Sequence, residues 1–123
     1  MIRLIQCVRR KPELSVDEFR RHWNNYQQAY KELAVATGAC RFAVSFGLKI
    51  PYNASIQEMR GTLEPFDAIL EVWWHSGAQL DGIEDEPDVG RRIADTRQMQ
   101  AAFMDLEASS IFFASVETDE HLP

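Results

Sequence analysis

The sequence predicts an α+β domain in which one antiparallel four-stranded sheet carries two long helices on a single face. Three observations predict it. Four short segments are rich in strand-forming apolar residues, two longer ones repeat apolar residues at helical steps, and together they run in the order β-α-β-β-α-β. The 123 residues are enough for one domain with its own core, and 46% hydrophobic with 26% charged residues is an ordinary globular composition. We assign residues 1–117 to that domain and 118–123 to a polar C-terminal tail.

Residues 2–10 read as the first strand. Leu4 and Val8 fall on one face, Ile5 and Cys7 on the other, as in a strand covered on both sides, and Pro12 ends it. Ser15 with Glu18 forms a capping box, each side chain satisfying a free backbone amide of the other. Phe19, Trp23, Tyr26, Tyr30 and Leu33 then share one helical stripe opposite Arg20, Arg21, Asn24, Gln28, Lys31 and Glu32, giving a helix over 16–36 closed by Gly38.

In the second strand, 40–48, bulky Phe42, Val44, Phe46 and Leu48 alternate with Arg41, Ala43, Ser45 and Gly47, so something approaches the small face closely. Residues 50–65 hold two prolines and Gly61. Asn53 is expected to cap a short helix reaching Arg60, and the segment reads as a lid or an insertion. Residues 66–74 form the third strand, apolar on both faces. Ser76 caps a short helix with Leu80 and Ile83, and Pro87 opens a helix over 88–104 whose inward arc holds Val89, Ile93, Thr96, Gln100 and Phe103. Thr96 and Gln100 are polar interruptions of that arc: either they face a cavity or the helix bends. Residues 110–117 form the fourth strand.

This order closes as a ferredoxin-like split βαβ fold with both helices on one sheet face. Strands one, three and four keep apolar residues on the other face as well. One copy leaves that face bare, and a second copy covers it when two sheets pack about a two-fold axis. A contact of about 800 Å² per partner is the usual size.

Charge and cysteine narrow the function. Thirteen basic against nineteen acidic residues give −6, without the basic field that nucleic acid requires. Arg9, Arg10 and Lys11 read as a solvated run. The acidic stretch from Asp81 to Asp88 lacks the ligand spacing of a calcium loop. Cys7 and Cys40 belong to no CxxC pair and read as free thiols, and the three histidines have no paired spacing, so no metal and no cofactor are expected. Asn53-Ala54-Ser55 is a glycosylation sequon that has no consequence without secretion. No apolar run reaches the length of about 18 residues that marks a membrane helix, and no charged leader precedes a hydrophobic one. The expectation is a soluble cytoplasmic domain.

The opening strand, the Arg9-Arg10-Lys11-Pro12 turn, Leu14-Ser15, the Phe19–Trp23 helix, the strand Phe66–Trp74 with Glu71 inside it, and Phe103-Met104-Asp105 before a last strand ending in Glu117 together resemble the EthD family. The resemblance implies a dimeric α/β barrel with a ligand pocket between sheet and helices in each subunit. It also implies an auxiliary part in a catabolic pathway of the alkyl-ether-degrading kind. Relatives in the wider superfamily include cofactor-free monooxygenases, isomerases, cyclases and haem-degrading enzymes, among which fold alone does not choose. Many members of the family carry a histidine four residues after the tryptophan. Here that position is Gln27, which exchanges no proton near neutral pH.

Candidates for contacting a ligand are therefore Phe19, Trp23, Tyr26, Gln27, Tyr30, Phe46, Trp74 and Gln100, and candidates for acid–base work are His75, Tyr26 and His22. Asp67 and Glu71 share a strand face with Trp73 and His75; if that face is the dimer seam their charges need partners, and Arg9 or Arg41 across the two sheets are the candidates. The reading is a homodimer that binds a small, mostly apolar molecule. The alternative is a cofactor-free isomerase, cyclase or monooxygenase acting on a small aromatic or carbonyl compound. Haem finds no histidine at a helix-inward position.

Overall fold

The computed structural model describes all residues from Met1 to Pro123. Its elements are β1 (Ile2–Val8), α1 (Val16–Ala36), β2 (Arg41–Phe46), α2 (Pro51–Arg60), β3 (Ala68–Trp74), α3 (Pro87–Phe103) and β4 (Ser110–Ser115). Short 3-10 turns at Gly77–Leu80, Ile83–Asp85 and Leu106–Ala108 join the later ones. The strands form one antiparallel sheet in the order β2-β3-β1-β4, the ferredoxin-like arrangement expected from the sequence.

Strand register decides which side chains meet the helices. Leu4 lies opposite Val72 and Phe113, and Gln6 lies opposite Leu70 and Ile111. Alternation then places Leu4, Gln6 and Val8 of β1 beside Ala68, Leu70, Val72 and Trp74 of β3, all buried. α1 starts at the capping box: the Ser15 side chain accepts from the Glu18 amide, and Glu18 Oε1 accepts from the Ser15 amide, both at 3.1 Å. That exchange draws the exposed Glu18 carboxyl below its usual range, the Ser15 backbone contributing most. The helix lays Phe19, Trp23, Tyr26, Leu33 and Ala34 on the core and ends at Gly38, whose φ of +77° suits a residue without Cβ. α3 packs beside α1 and buries Val89, Thr96 and Phe103.

The β2–β3 connection differs from the sequence expectation at one point. α2 takes Ile50 as its N-cap residue with Pro51 in the first turn, while Asn53 sits inside the helix and donates from Nδ2 to the Leu48 carbonyl at 2.7 Å. Proline carries the helical φ already and has no amide to satisfy, so the helix starts there without a side-chain cap. None of the residues of α2 is buried, and Tyr52 and Met59 stand in solvent.

The opposite sheet face carries Ile5 and Cys7 of β1, Ile69 and Trp73 of β3, Ala43 of β2 and Phe112 and Ala114 of β4, as the registers require. Two carboxylates stand along this face, and within the single chain each already has a partner of its own. Glu71 pairs with Arg3 of its own sheet at 3.6 Å, and Asp67 pairs with Arg10 at 3.4 Å. Arg3 sits one diagonal step from Glu71 across the β1–β3 ladder, within reach of a long side chain. Arg41 instead lies over the Trp73 ring at 4.4 Å, and Arg9 lies over the Phe66 ring at 4.3 Å.

Candidate functional site

Between the sheet and the two long helices lies a cavity of about 580 Å³. Leu4 and Gln6 of β1, Tyr30 and Leu33 of α1, Thr37 just after that helix, and Thr96 and Gln100 of α3 line it, with Trp74 at the end of β3. Ile111 and Phe113 of β4, more exposed, line it too, as do the charged Glu84 and Arg97. The wall is mainly apolar, and the volume falls within the range of small-molecule sites.

Three polar side chains from three elements meet at its floor. Gln100 Nε2 donates to Tyr26 Oη at 2.8 Å, and Tyr26 Oη donates to Gln6 Oε1 at 2.7 Å. This chain occupies the carbonyl end of Gln6 and turns its amide nitrogen away. Gln6 is fully buried and its Nε2 has no hydrogen-bond partner. A buried donor left unmade costs about 1–3 kcal/mol. Nε2 is close enough to Tyr30 to favour a phenolate there, but makes no hydrogen bond of normal geometry with it.

Burial pushes the Tyr30 hydroxyl up to about 12, against the opposing pull of Gln6. Burial pushes Tyr26 higher still, against its hydrogen bonds to Gln100 and Gln6. Both tyrosines are neutral phenols at physiological pH. Tyr30 lines the cavity as a donor, and Tyr26, just behind, holds the two glutamines in place. Three further polar groups of the wall are satisfied within the fold: Trp74 Nε1 donates to Thr37 Oγ1 at 3.1 Å, Thr37 Oγ1 donates to the Ala34 carbonyl at 2.9 Å, and Thr96 Oγ1 donates to the Ile93 carbonyl at 2.9 Å.

Of the residues singled out from the sequence, Tyr30, Trp74 and Gln100 line the cavity, with Tyr26 bonded to Gln100 beneath it. Phe19 and Trp23 are core residues, stacked on each other at 5.8 Å, and Phe46 meets Trp23 edge-on at 6.1 Å. Arg20 covers Phe46 with its guanidinium 3.5 Å from the ring centroid. Gln27 is half-buried on α1 and outside the cavity wall. His22 is exposed and stacks on Phe103 at 5.7 Å, and His75 is exposed one residue beyond β3. Neither histidine is part of the wall.

Sequence reasoning missed Gln6, Thr37 and Arg97. For Gln6 a signal existed: a single amide between Leu4 and Val8 on the inward row of an otherwise apolar strand. Thr37 and Arg97 carried none, because their positions depend on how the helices close over the sheet.

A second, more polar groove of about 840 Å³ separates the β2–β3 connection from the turn after β1. Its arginines are already engaged. Arg9 donates to the Glu64 and Pro65 carbonyls at 2.7 and 3.2 Å, and Arg10 binds Asp67 and the Leu14 carbonyl. These contacts fasten the connection to the sheet. No group of three or more His, Cys, Asp or Glu side chains is placed to hold a metal ion, and no helix is long and apolar enough to cross a membrane.

No curated protein matches the chain. Solved structures do. A dimeric protein of unknown function and ferredoxin-like fold from Bacteroides fragilis NCTC 9343 superposes with a TM-score of 0.63 at 9% identity, over 94% of this chain and 95% of that one. A dimeric ferredoxin-like protein of unknown function from Thermobifida fusca YX gives 0.58 at 14% identity, over 94% and 90%. At such identities the likeness establishes the fold. The family model for the EthD domain matches residues 11–121, nearly the whole chain, and the protein therefore belongs to the EthD family.

Proposed function

We propose that the protein is a homodimer that binds one small, mostly apolar molecule per subunit in the cavity between sheet and helices, as an auxiliary component of a catabolic pathway of the ether-degrading kind. The observation that carries the reading is the cavity itself: about 580 Å³, apolar in its wall, with an amide donor held unpaired at its floor. Interiors normally close such spaces, and buried polar groups normally find partners. The homodimer rests on the apolar open face of the sheet and on two structural neighbours that are dimeric. Binding is favoured over catalysis because the ionisable groups on the wall are Tyr30, held protonated, and two charged residues, Glu84 and Arg97.

Native mass spectrometry of the protein as purified tests both parts. The expected spectrum shows two chains, with small-molecule adducts that disappear when Ile111→Trp narrows the cavity beside β4. Single chains would refute the dimer. Adducts equally abundant in the variant would refute the cavity as their site.

A further inference from the structure

We infer that the cavity takes a small monocarboxylic acid, whose apolar body lies between sheet and helices and whose carboxylate is held at the rim by Arg97 of α3. The inference rests on the binding role proposed for the cavity and names the class of ligand it takes.

Arg97 is the cation of the cavity wall, and it has no counter-ion. The other arginines of α3 are paired. Arg91 meets Asp88 at 2.6 Å, and Arg92 meets Asp88 at 3.0 Å and Glu32 at 3.4 Å. Arg97 takes part in none of the ion pairs of the molecule. Its helix offers no remedy. The positions three and four residues away, where a partner would face it, hold Ile93, Ala94, Gln100 and Ala101. Ile93 and Gln100 line the same cavity, so the unpaired guanidinium stands on the helix face that borders it.

The surroundings of Arg97 fix the sign and the number of charges on the ligand. Tyr30 of α1 also lines the cavity, and the charge of Arg97 acts on its hydroxyl, though burial prevails and keeps the phenol protonated. A protonated phenol near a guanidinium offers a second hydrogen to an anion. The other charged group of the wall, Glu84, lies toward the opposite end of α3. A Cβ on Gly90 would stand 2.8 Å from the Glu84 carbonyl oxygen, and Arg97 is seven residues further on, about 10 Å along the helix axis. One carboxylate at Arg97 therefore keeps clear of Glu84, whereas a second at the far end of the same ligand would approach it. One unpaired arginine balances one negative charge.

Solvation sets the pose. A carboxylate sunk among Leu4, Leu33 and Trp74 would lose its water without compensation. Arg97 is exposed, so a carboxylate beside it keeps water on its outer side while the guanidinium binds both oxygens in one plane. The whole chain carries −6 and repels anions in general, so any preference for one comes from this local arrangement.

The test uses three probes of similar shape on the intact protein: phenylacetate, its neutral counterpart phenylacetamide, and the cation phenethylamine. Titration calorimetry gives the affinities. Phenylacetate is expected to bind about 10-fold more tightly than the amide, with phenethylamine weakest. Added salt should weaken the acid and leave the amide unchanged. Arg97→Gln should bring phenylacetate down to the level of the amide without altering amide binding, and Arg97→Lys should keep part of the preference, because the charge stays and the planar fork goes. Both variants alter an exposed side chain, so the fold is retained.

Equal binding of acid and amide, with both abolished by Ile111→Trp, overturns the monocarboxylate and leaves the cavity as a binding site. A preference for phenylacetate that survives Arg97→Gln overturns Arg97 as its holder. Tightest binding of phenethylamine, lost in Glu84→Gln, reverses the sign and overturns the inference. Failure of all three probes to bind overturns both the inference and the binding role beneath it.

Discussion

Two tyrosines carry the polar floor of the cavity, and their burial has a consequence that titration can read. A phenol that ionises less readily in the folded chain than in the unfolded one stabilises the fold only while both states keep the proton. For Tyr30 the folded value is about 12 against an ordinary 10.0. Its contribution is therefore whole below pH 10 and declines between 10 and 12, because the unfolded chain releases its proton first. Tyr26 acts in the same direction over a wider range, its value lying further up. We expect stability to fall above pH 10 by roughly 1.4 kcal/mol per pH unit for each tyrosine. Phenolate absorbance should rise late, and together with unfolding, for these two. If Tyr26 and Tyr30 ionise near pH 10 while the far-ultraviolet dichroism is unchanged, the floor is wet and the hydrogen-bond chain through Gln6 and Gln100 is not as described.

Elements were more legible in the sequence than the site they enclose. α1 announces itself through Ser15, Glu18 and a stripe of aromatics, since capping and amphipathicity are local properties that the fold has no reason to override. The strand order follows from the same logic once the connections are short. Thr96 and Gln100 broke the inward arc of α3, and both prove to line the cavity. The identities of the Glu71 and Asp67 partners were not legible, because they depend on register, and a shift of one residue would turn every side chain to the other face. Gly47 is a case where sequence signalled a close approach and geometry supplies its reason. A Cβ at this position would stand 2.1 Å from the Phe66 carbonyl oxygen, and the Gly47 amide donates to the Asp67 carbonyl at 3.1 Å, so both backbones are pinned. Gly47→Ala should push β2 away from β3 at this end and cost about 1–3 kcal/mol. The measurement is the urea midpoint, with the slope unchanged if the denatured state is unaffected. A midpoint equal to that of the parent would mean that the strand end yields freely.

At the scale of the whole molecule, the sheet has one face closed by helices and one face that a single chain leaves open. Ile5, Cys7, Ile69 and Phe112 lie together on the open side, while Arg3 and Arg41 fold their guanidiniums over Trp73. Pairing Arg3 with Glu71 neutralises the charge pair in the middle of the face, which lowers the cost of drying it against a second copy. Phe112 is the most informative position. It is 47% exposed in the single chain, it belongs to edge strand β4, and its register partner is Ile5. Phe112→Arg leaves the helix-covered core intact, since an arginine there is solvated in a monomer. In a face-to-face dimer it would bury an unpaired cation at the seam, and the dimer dissociation constant should rise at least ~100-fold. Cys7 supplies an independent readout. Burial, and then the nearby Glu71 carboxylate, push its thiol up and slow its alkylation even in the single chain. Covering the face should slow it further, so Phe112→Arg should speed the reaction of Cys7 with iodoacetamide while Cys40, exposed ahead of β2, reacts as before. Sedimentation velocity reads the assembly directly. A variant that sediments with the parent as a dimer, with Cys7 equally slow in both, would show that the subunits meet through a surface other than the open face of the sheet.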